Sequence, residues 1–386
     1  MTLMKRIAHT LLKSNSRNLT APAQAIQIQD DPTQTFRTKE NNPLKHDMQH
    51  VGRFYTVPSD VAKVIYTQGM PQLWHQQAQV FTEMSLLVRK PAVELLSYLT
   101  QTDYSKPVNK YVIYGDPGCG KSTTMLHLLH YGYKSKKIIV HVKFAHTWMV
   151  RPKEVSTSPF RENFMDLPLD AALWLQNFRL TNADLLAKAD IKLSKDYEWD
   201  SCGKIEVGSP LISLIDLGIN HVKCACEVVI ALMTELKKAS IAGKCKVLVA
   251  IDGFNAFYRQ VTKIKDDLRK YVPASQVSLT LAFLDITKSD WCNGQVIVSV
   301  DTRASDQDKP GSVLPRYLLG KEGFEHLDPF MPMFVENYTQ DEFDTVVEYY
   351  KNRKLITEIS SEGLKELSVI TGKNPLILFN YSKSQL

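Results

Sequence analysis

The sequence predicts a three-layer α/β fold, a parallel β-sheet with helices on both faces, followed by a small helical C-terminal subdomain. Three observations carry this expectation. Short β-branched runs, Tyr111–Tyr114, Lys137–Val142, Lys246–Asp252 and Gln295–Val300, alternate with stretches of helical spacing, the pattern of parallel strands joined by crossover helices. Between the first run and its helix lies Gly115-Asp116-Pro117-Gly118-Cys119-Gly120-Lys121-Ser122, a complete G-x-x-x-x-G-K-[ST] loop. The third run ends on Asp252, an acidic residue at the sheet edge where α/β folds gather ligands.

At the start of the chain, residues 1–29 hold Lys5, Arg6, Lys13 and Arg17 with no acid, and Leu3, Ile7, Leu11 and Leu12 can share one helical face. Ser14, Ser16, Thr2, Thr10 and Thr20 complete a composition that reads as a mitochondrial transit peptide, cleaved between Arg17 and Asp30, in preference to a basic tail. Residues 30–52 are polar and read as an extended arm. Residues 53–105 read as a mostly helical lead-in. Trp74–Ala78 is one piece, and Ser85–Leu99 another, with Pro91 in a first turn and Leu95, Tyr98 and Leu99 at helical spacing.

Residues 106–305 form the expected core. Its helices are Thr123–His130, Leu167–Ala189, Leu211–Ala239 and a stretch over 279–290. Residues 306–386 form the C-terminal subdomain. There Thr339-Gln340-Asp341-Glu342 is a capping box that opens a helix striped by Phe343, Val346, Val347 and Tyr350, and a second helix covers Ser361–Thr371.

Composition narrows the classes. With 44% apolar residues in 386, the chain can bury a large core with appendages or two domains. Its longest apolar runs fall far short of a bilayer span. Six scattered cysteines do not make a disulfide framework, and the close pair Cys224 and Cys226 reads as reduced core thiols rather than half a metal site. The net charge of +6 suggests an anionic partner, but residues 1–50 supply +3 of it. Lys134, Lys136 and Lys137 are a small cluster that can meet RNA phosphate or sit on a solvated turn.

The loop carries the chemistry. Glycines let backbone N–H groups turn inward around an anion, and the helix that follows presents its positive end to phosphate. Lys121 is expected at the β/γ-phosphates and Ser122 on Mg²⁺, with Asp252 holding the metal from the opposite side. The cofactor-binding set is thus Gly115, Asp116, Pro117, Gly118, Cys119, Gly120, Lys121, Ser122, Thr123, Asp252 and Asn255, with Ser122 and Asp252 as metal ligands and no residue assigned to catalysis. Gly253 stands where AAA-like ATPases place a catalytic glutamate, and Asn255 can position water but cannot take its proton. Tight nucleotide binding with slow hydrolysis or none is expected. Thr302 or Arg303, rather than Asp301, is the better γ-phosphate sensor. Thr287-Lys288-Ser289-Asp290 fits the guanine signature [NT]-K-x-D, but helical spacing precedes it where a buried strand is required, so it reads as a decoy. The motif chemistry leaves adenine and guanine both open.

The chain also resembles the death-associated protein family, the P-loop protein of the mitochondrial small ribosomal subunit. The resembling segments are Gly52–Tyr55 with Val57-Pro58, Leu87–Arg89 with Pro91-Ala92, the phosphate loop, Val249–Ala256, Leu318–Phe324, Leu327–Phe330 and Asn337-Tyr338. The resemblance implies an AAA-like fold and a structural protein in the mitochondrial matrix. Its implied partners are small-subunit rRNA and ribosomal proteins, its implied cofactors GTP or GDP (in preference to ATP) with Mg²⁺, and an apoptosis-related role is described for animal members. The competing readings are a cycling AAA-like or signalling NTPase, and a P-loop kinase whose acceptor site would draw on Arg151, Arg161 and Asp166.

Overall fold

The computed structural model describes residues 35–200, 202–306, 311–357 and 359–384. The expected transit peptide lies outside the described residues. The chain divides into Met1–Thr35 and Phe36–Leu386, and the second unit holds the fold. Among the described residues, its central sheet has five strands: β1 (Asn109–Tyr114), β2 (Ile138–Val142), β3 (Val247–Ile251), β4 (Gly294–Ser299) and β5 (Met331–Phe334). Their spatial order is β5-β1-β4-β3-β2, and every pairing is parallel.

Alternation along the strands builds two cores. Val112, Val140, Val249 and Val298 face one core, closed by helices Pro168–Lys188, Leu211–Asn220, Ala225–Ile241 and Ser278–Ile286. Ile113, Ile139, Leu248 and Ile297 face the other, under helices Ser59–Ile65, Lys90–Thr100 and Lys121–Lys134. Burial on both faces is why these strands read as continuous apolar runs. The three-layer α/β architecture is therefore as expected. No single helix among the described residues is long and apolar enough to cross a membrane.

Four differences have physical reasons. Within the lead-in, Ser85–Leu87 is not helical; it pairs antiparallel with Phe54–Thr56, and the helix starts at Lys90, just before Pro91. The predicted helix Leu211–Ala239 is broken after Asn220 by a turn at Val222–Cys224 and bends by 116°. Gly218 lets its two halves close together, since a Cβ there would come 2.7 Å from Val228 Cγ1. Beyond residue 306 the chain is not wholly helical, because Met331–Phe334 joins the sheet as an edge strand, where Pro332 is tolerated. Cys224 is not a thiol: it is bonded to Cys202, which the hairpin Tyr197–Trp199/Gly203–Ile205 carries against it. A spacing of 22 residues gives no sign of this. Cys226 remains a buried thiol.

The predicted capping box is formed: Thr339 Oγ1 accepts from Glu342 N, and Glu342 Oε2 accepts from Thr339 N. The two remaining C-terminal helices are Ser361–Thr371 and Pro375–Lys383.

Candidate functional site

The glycine loop follows β1 at the carboxyl edge of the sheet and runs into helix Lys121–Lys134. Its conformation requires glycine. Gly118 and Gly120 have φ of +81° and +106°, left-handed values that side chains disfavour. At Gly115 a Cβ would stand 2.2 Å from the Val335 carbonyl. Asp116 and Pro117 are exposed and Cys119 is buried. Gly120 is the N-cap of the helix, whose first N–H groups have no intrahelical acceptor.

Lys121 is buried, and its ammonium donates to the Gly115 and Asp116 carbonyls at 2.8 and 3.0 Å and lies 3.4 Å from Asp301 Oδ2. Ser122 donates its hydroxyl to Asp252 Oδ2, across 130 residues of sequence. Asp252 Oδ1 accepts from Ser299 Oγ, which in turn accepts from Gly253 N at 3.0 Å. Burial raises the Asp252 carboxyl, against the hydrogen bonds from Ser122 and Ser299 that lower it. A desolvated carboxylate of this kind is stabilised by a nearby cation. Together with the Ser122 hydroxyl it is a hard oxygen donor set of the sort Mg²⁺ takes, so the residues present fit nucleotide and metal.

Several residues of the site have roles that the sequence pattern assigns differently or not at all. Asn255 is held by the backbone of Asp301: its amide donates to the Asp301 carbonyl and accepts from Asp301 N, both at 3.0 Å, tying the ends of β3 and β4 together. Asp301 is the counter-ion of Lys121, and Arg303, its guanidinium 4.8 Å above the Phe144 ring, binds the same carboxylate at 2.9 Å. Burial would raise the Asp301 carboxyl, but Arg303 and Lys121 prevail and hold it below its usual value. The glycine that follows Asp252 has a steric cause. Gly253 has φ +69°, and a Cβ there would lie 2.7 Å from the Phe144 ring.

Arg89 closes the loop from behind. It is buried and donates to the Cys119 carbonyl at 2.7 Å, to the Glu336 and Asn337 carbonyls, and to both oxygens of Glu342. The last helices bind the loop as well. Asn374 Nδ2 donates to the Pro117 carbonyl at 3.0 Å and Leu376 N to that of Gly118 at 3.2 Å. Beside Gly120 and Thr123 a cavity opens, walled by Trp74, Phe81, Arg89, Tyr338 and Tyr350, with Gln77 among its polar groups. Nothing in the local pattern around Arg89, Ser299 or Asn374 marks these roles.

Other candidates lie elsewhere. Thr287–Asp290 precedes β4 at the amino edge of the sheet, opposite the loop, and Asp290 pairs with Lys237 at 2.7 Å, which makes the guanine signature a decoy. Arg161 is bound to Glu227 and Asp166 to Ser278. Lys137 does not offer itself to RNA. It is buried against Gln295 and Tyr131, and burial lowers its ammonium to about 7.

The family described as mitochondrial ribosomal death-associated protein 3 matches residues 86–380 of this chain. The small ribosomal subunit protein mS29 of Bos taurus is 36% identical over 348 residues, covering 89% of this chain and 86% of that protein. Its Mus musculus counterpart is 35% identical over 347 residues, covering 89% and 88%. The chain belongs to this family.

Proposed function

We propose that this chain is a structural component of the mitochondrial small ribosomal subunit that holds a guanine nucleotide with Mg²⁺ and hydrolyses it slowly or not at all. It works in the mitochondrial matrix, beside the rRNA and proteins of the subunit, in keeping with its family and the mS29 relatives. The single observation that carries the nucleotide is the meeting of Ser122 with Asp252 next to the buried Lys121. Three groups from β1 and β3 that phosphate and metal require stand together, although β4 separates the two strands. That strand order supports an AAA-like P-loop fold.

The loop N–H groups and Lys121 would hold the phosphates, and Ser122 and Asp252 would hold Mg²⁺. The bound metal neutralises phosphate charge; the chain supplies orientation and exclusion of water. Gly253 supplies no base next to Asp252, and Asn255 cannot take a proton from water. The guanine preference and the apoptotic role rest on the family resemblance and not on a residue of the site.

The test is chromatography of the nucleotide released from purified protein by acid. GTP or GDP at near one equivalent is expected; an adenine nucleotide would overturn the base assignment. Multiple turnover at about 1 s⁻¹, inside the ordinary enzyme range, would move the cycling NTPase ahead.

A further inference from the structure

Just beyond the Asp252 strand, the chain leaves the sheet as a two-stranded ribbon over residues 261–272. Val272 N donates to Ile264 O at 3.0 Å, Thr262 N to Val272 O at 3.2 Å and Asp266 N to Lys270 O at 2.9 Å, and Arg269 turns with φ +62°. One face of the ribbon is anchored: Ile264 and Val272 belong to the main core and Thr262 is buried. The other face is exposed and alternates as a half-buried strand must, presenting Val261, Lys263 and Lys265 on one strand and Tyr271 on the other.

That face is cationic around an aromatic ring. The Lys263 and Lys265 ammonium groups stand 5.5 and 4.9 Å from the centroid of Tyr271, which is 49% exposed. Arg269 and Lys270 are exposed at the turn. The neighbouring segment adds Arg151 and Lys153, both exposed, because Lys263 N is held by the Met149 carbonyl at 2.7 Å and Asp267 by Thr157 at 2.9 Å. The acids nearby are Glu154, Asp170, Asp266 and Asp267: Asp170 accepts from Lys153 N, Asp266 from Lys270 N and Asp267 from the Thr157 hydroxyl. Six cations therefore face four acids on one edge, in a chain whose net charge is only +6.

We infer that this ribbon is an RNA contact that grips the phosphodiester backbone, with Tyr271 holding the two lysines in place. Phosphate contacts need clustered cations with little conformational freedom, and an exposed ring beside them adds a surface for a base. The partner class, structured or single-stranded rRNA, rests on the proposed ribosomal function; the geometry of the ribbon does not.

The experiment is fluorescence anisotropy of the full-length purified protein with a labelled 20-nucleotide oligouridylate and with a 20-base-pair RNA duplex, across a salt series. The variant replaces Lys263, Lys265, Arg269 and Lys270 with Ala; all four are exposed, so melting temperature and bound nucleotide should stay as in the wild type. At about 0.7 per phosphate contact on single strands, removing four contacts should flatten the slope of log K against log salt by about 3. Affinity at 100 mM salt should fall at least about tenfold, since each lost contact also lowers the electrostatic attraction. Tyr271→Ala should weaken binding while leaving that slope nearly unchanged, and Tyr271→Phe should bind as the wild type. Unchanged affinity and slope in the fourfold variant would overturn the inference. So would competition by polyglutamate equal, charge for charge, to that by oligouridylate, which would make the partner an acidic polypeptide. Sedimentation of the wild type in mitochondrial lysate separates the two readings. Co-migration with the small subunit alongside intact RNA binding by the variant removes the ribbon and keeps the ribosome. Loss of RNA binding by the variant, with a wild type that never joins the subunit, does the reverse.

Discussion

Replacing Arg89 with Leu tests whether the phosphate loop is held by the end of the chain. The guanidinium is buried, pairs with Glu342 at 3.0 Å and donates to three backbone carbonyls, among them Cys119 inside the loop. Removing one partner of a buried pair leaves an uncompensated charge, here Glu342, at a cost of about 4 kcal/mol. At about 2–3 °C per kcal/mol for a chain of this size, melting should fall by roughly 10 °C. The double variant Arg89→Leu/Glu342→Leu removes the stranded carboxylate but leaves the three carbonyls without their donor. It should recover about half of the loss, so that the double variant is far less destabilised than the two single losses added together. Thermal melting of the four proteins in the cycle, each with and without GTP and Mg²⁺, is the assay. Ligand-induced stabilisation should shrink along with stability, because the Cys119 carbonyl is free to turn. A single variant melting at the wild-type temperature, or two losses that simply add, would refute the reasoning.

Lys121→Ala should abolish nucleotide retention and, with it, about 4 kcal/mol of stabilisation at a thousandfold excess of ligand over Kd; normal small-subunit abundance in cells carrying only this variant would show that the nucleotide is not structural. Gly253→Glu should not create a GTPase: it places a side chain on left-handed backbone against Phe144, at about 1–3 kcal/mol of strain, and a gain in turnover with unchanged melting would contradict this. Stability should also fall on acidification. Burial pulls His130 and His141 to about 3, so below the unfolded value near 6.5 the unfolded chain binds protons that the folded chain does not. The loss begins as pH drops through 6.5 and continues toward 3, at about 1.4 kcal/mol per pH unit for each histidine. Urea midpoints between pH 7.5 and 5 measure it, and His141→Gln should lower the slope by about 1.4 kcal/mol per pH unit, the share of one histidine; an unchanged slope would refute the assignment.

How much of the fold is legible in the sequence depends on the range of the forces involved. β1 to β4 and their helices announce themselves because burial on both faces leaves local apolar runs. The glycine loop does so because its backbone demands particular residues at fixed spacing. The edge strand Met331–Phe334 is invisible by the same rule, being short, exposed and interrupted by Pro332. Ser85–Leu87 adopts strand geometry only through its distant partner Phe54–Thr56. At the site, Asp252 is legible as an acid ending a strand, whereas Ser299 and Asp301 acquire their roles from pairing across β4, which no spacing encodes. Asn255 has the right chemistry to position water, but the Asp301 backbone engages both ends of its amide.

The position of Arg89's partners also sets an order in time. As the chain is synthesised, the loop and its helix emerge more than two hundred residues before Glu342, and the closing contacts of Asn374 and Leu376 come later still. Until then Arg89 has no carboxylate to meet and Gly118 no cover. A nascent chain can therefore form its sheet piece by piece, while the contacts that fasten the loop wait for Glu342, Asn374 and Leu376. A chain cut before Asn374 would carry the whole loop motif and lack the two residues that fasten Pro117 and Gly118, so that a nucleotide held there would mark a chain made past that point.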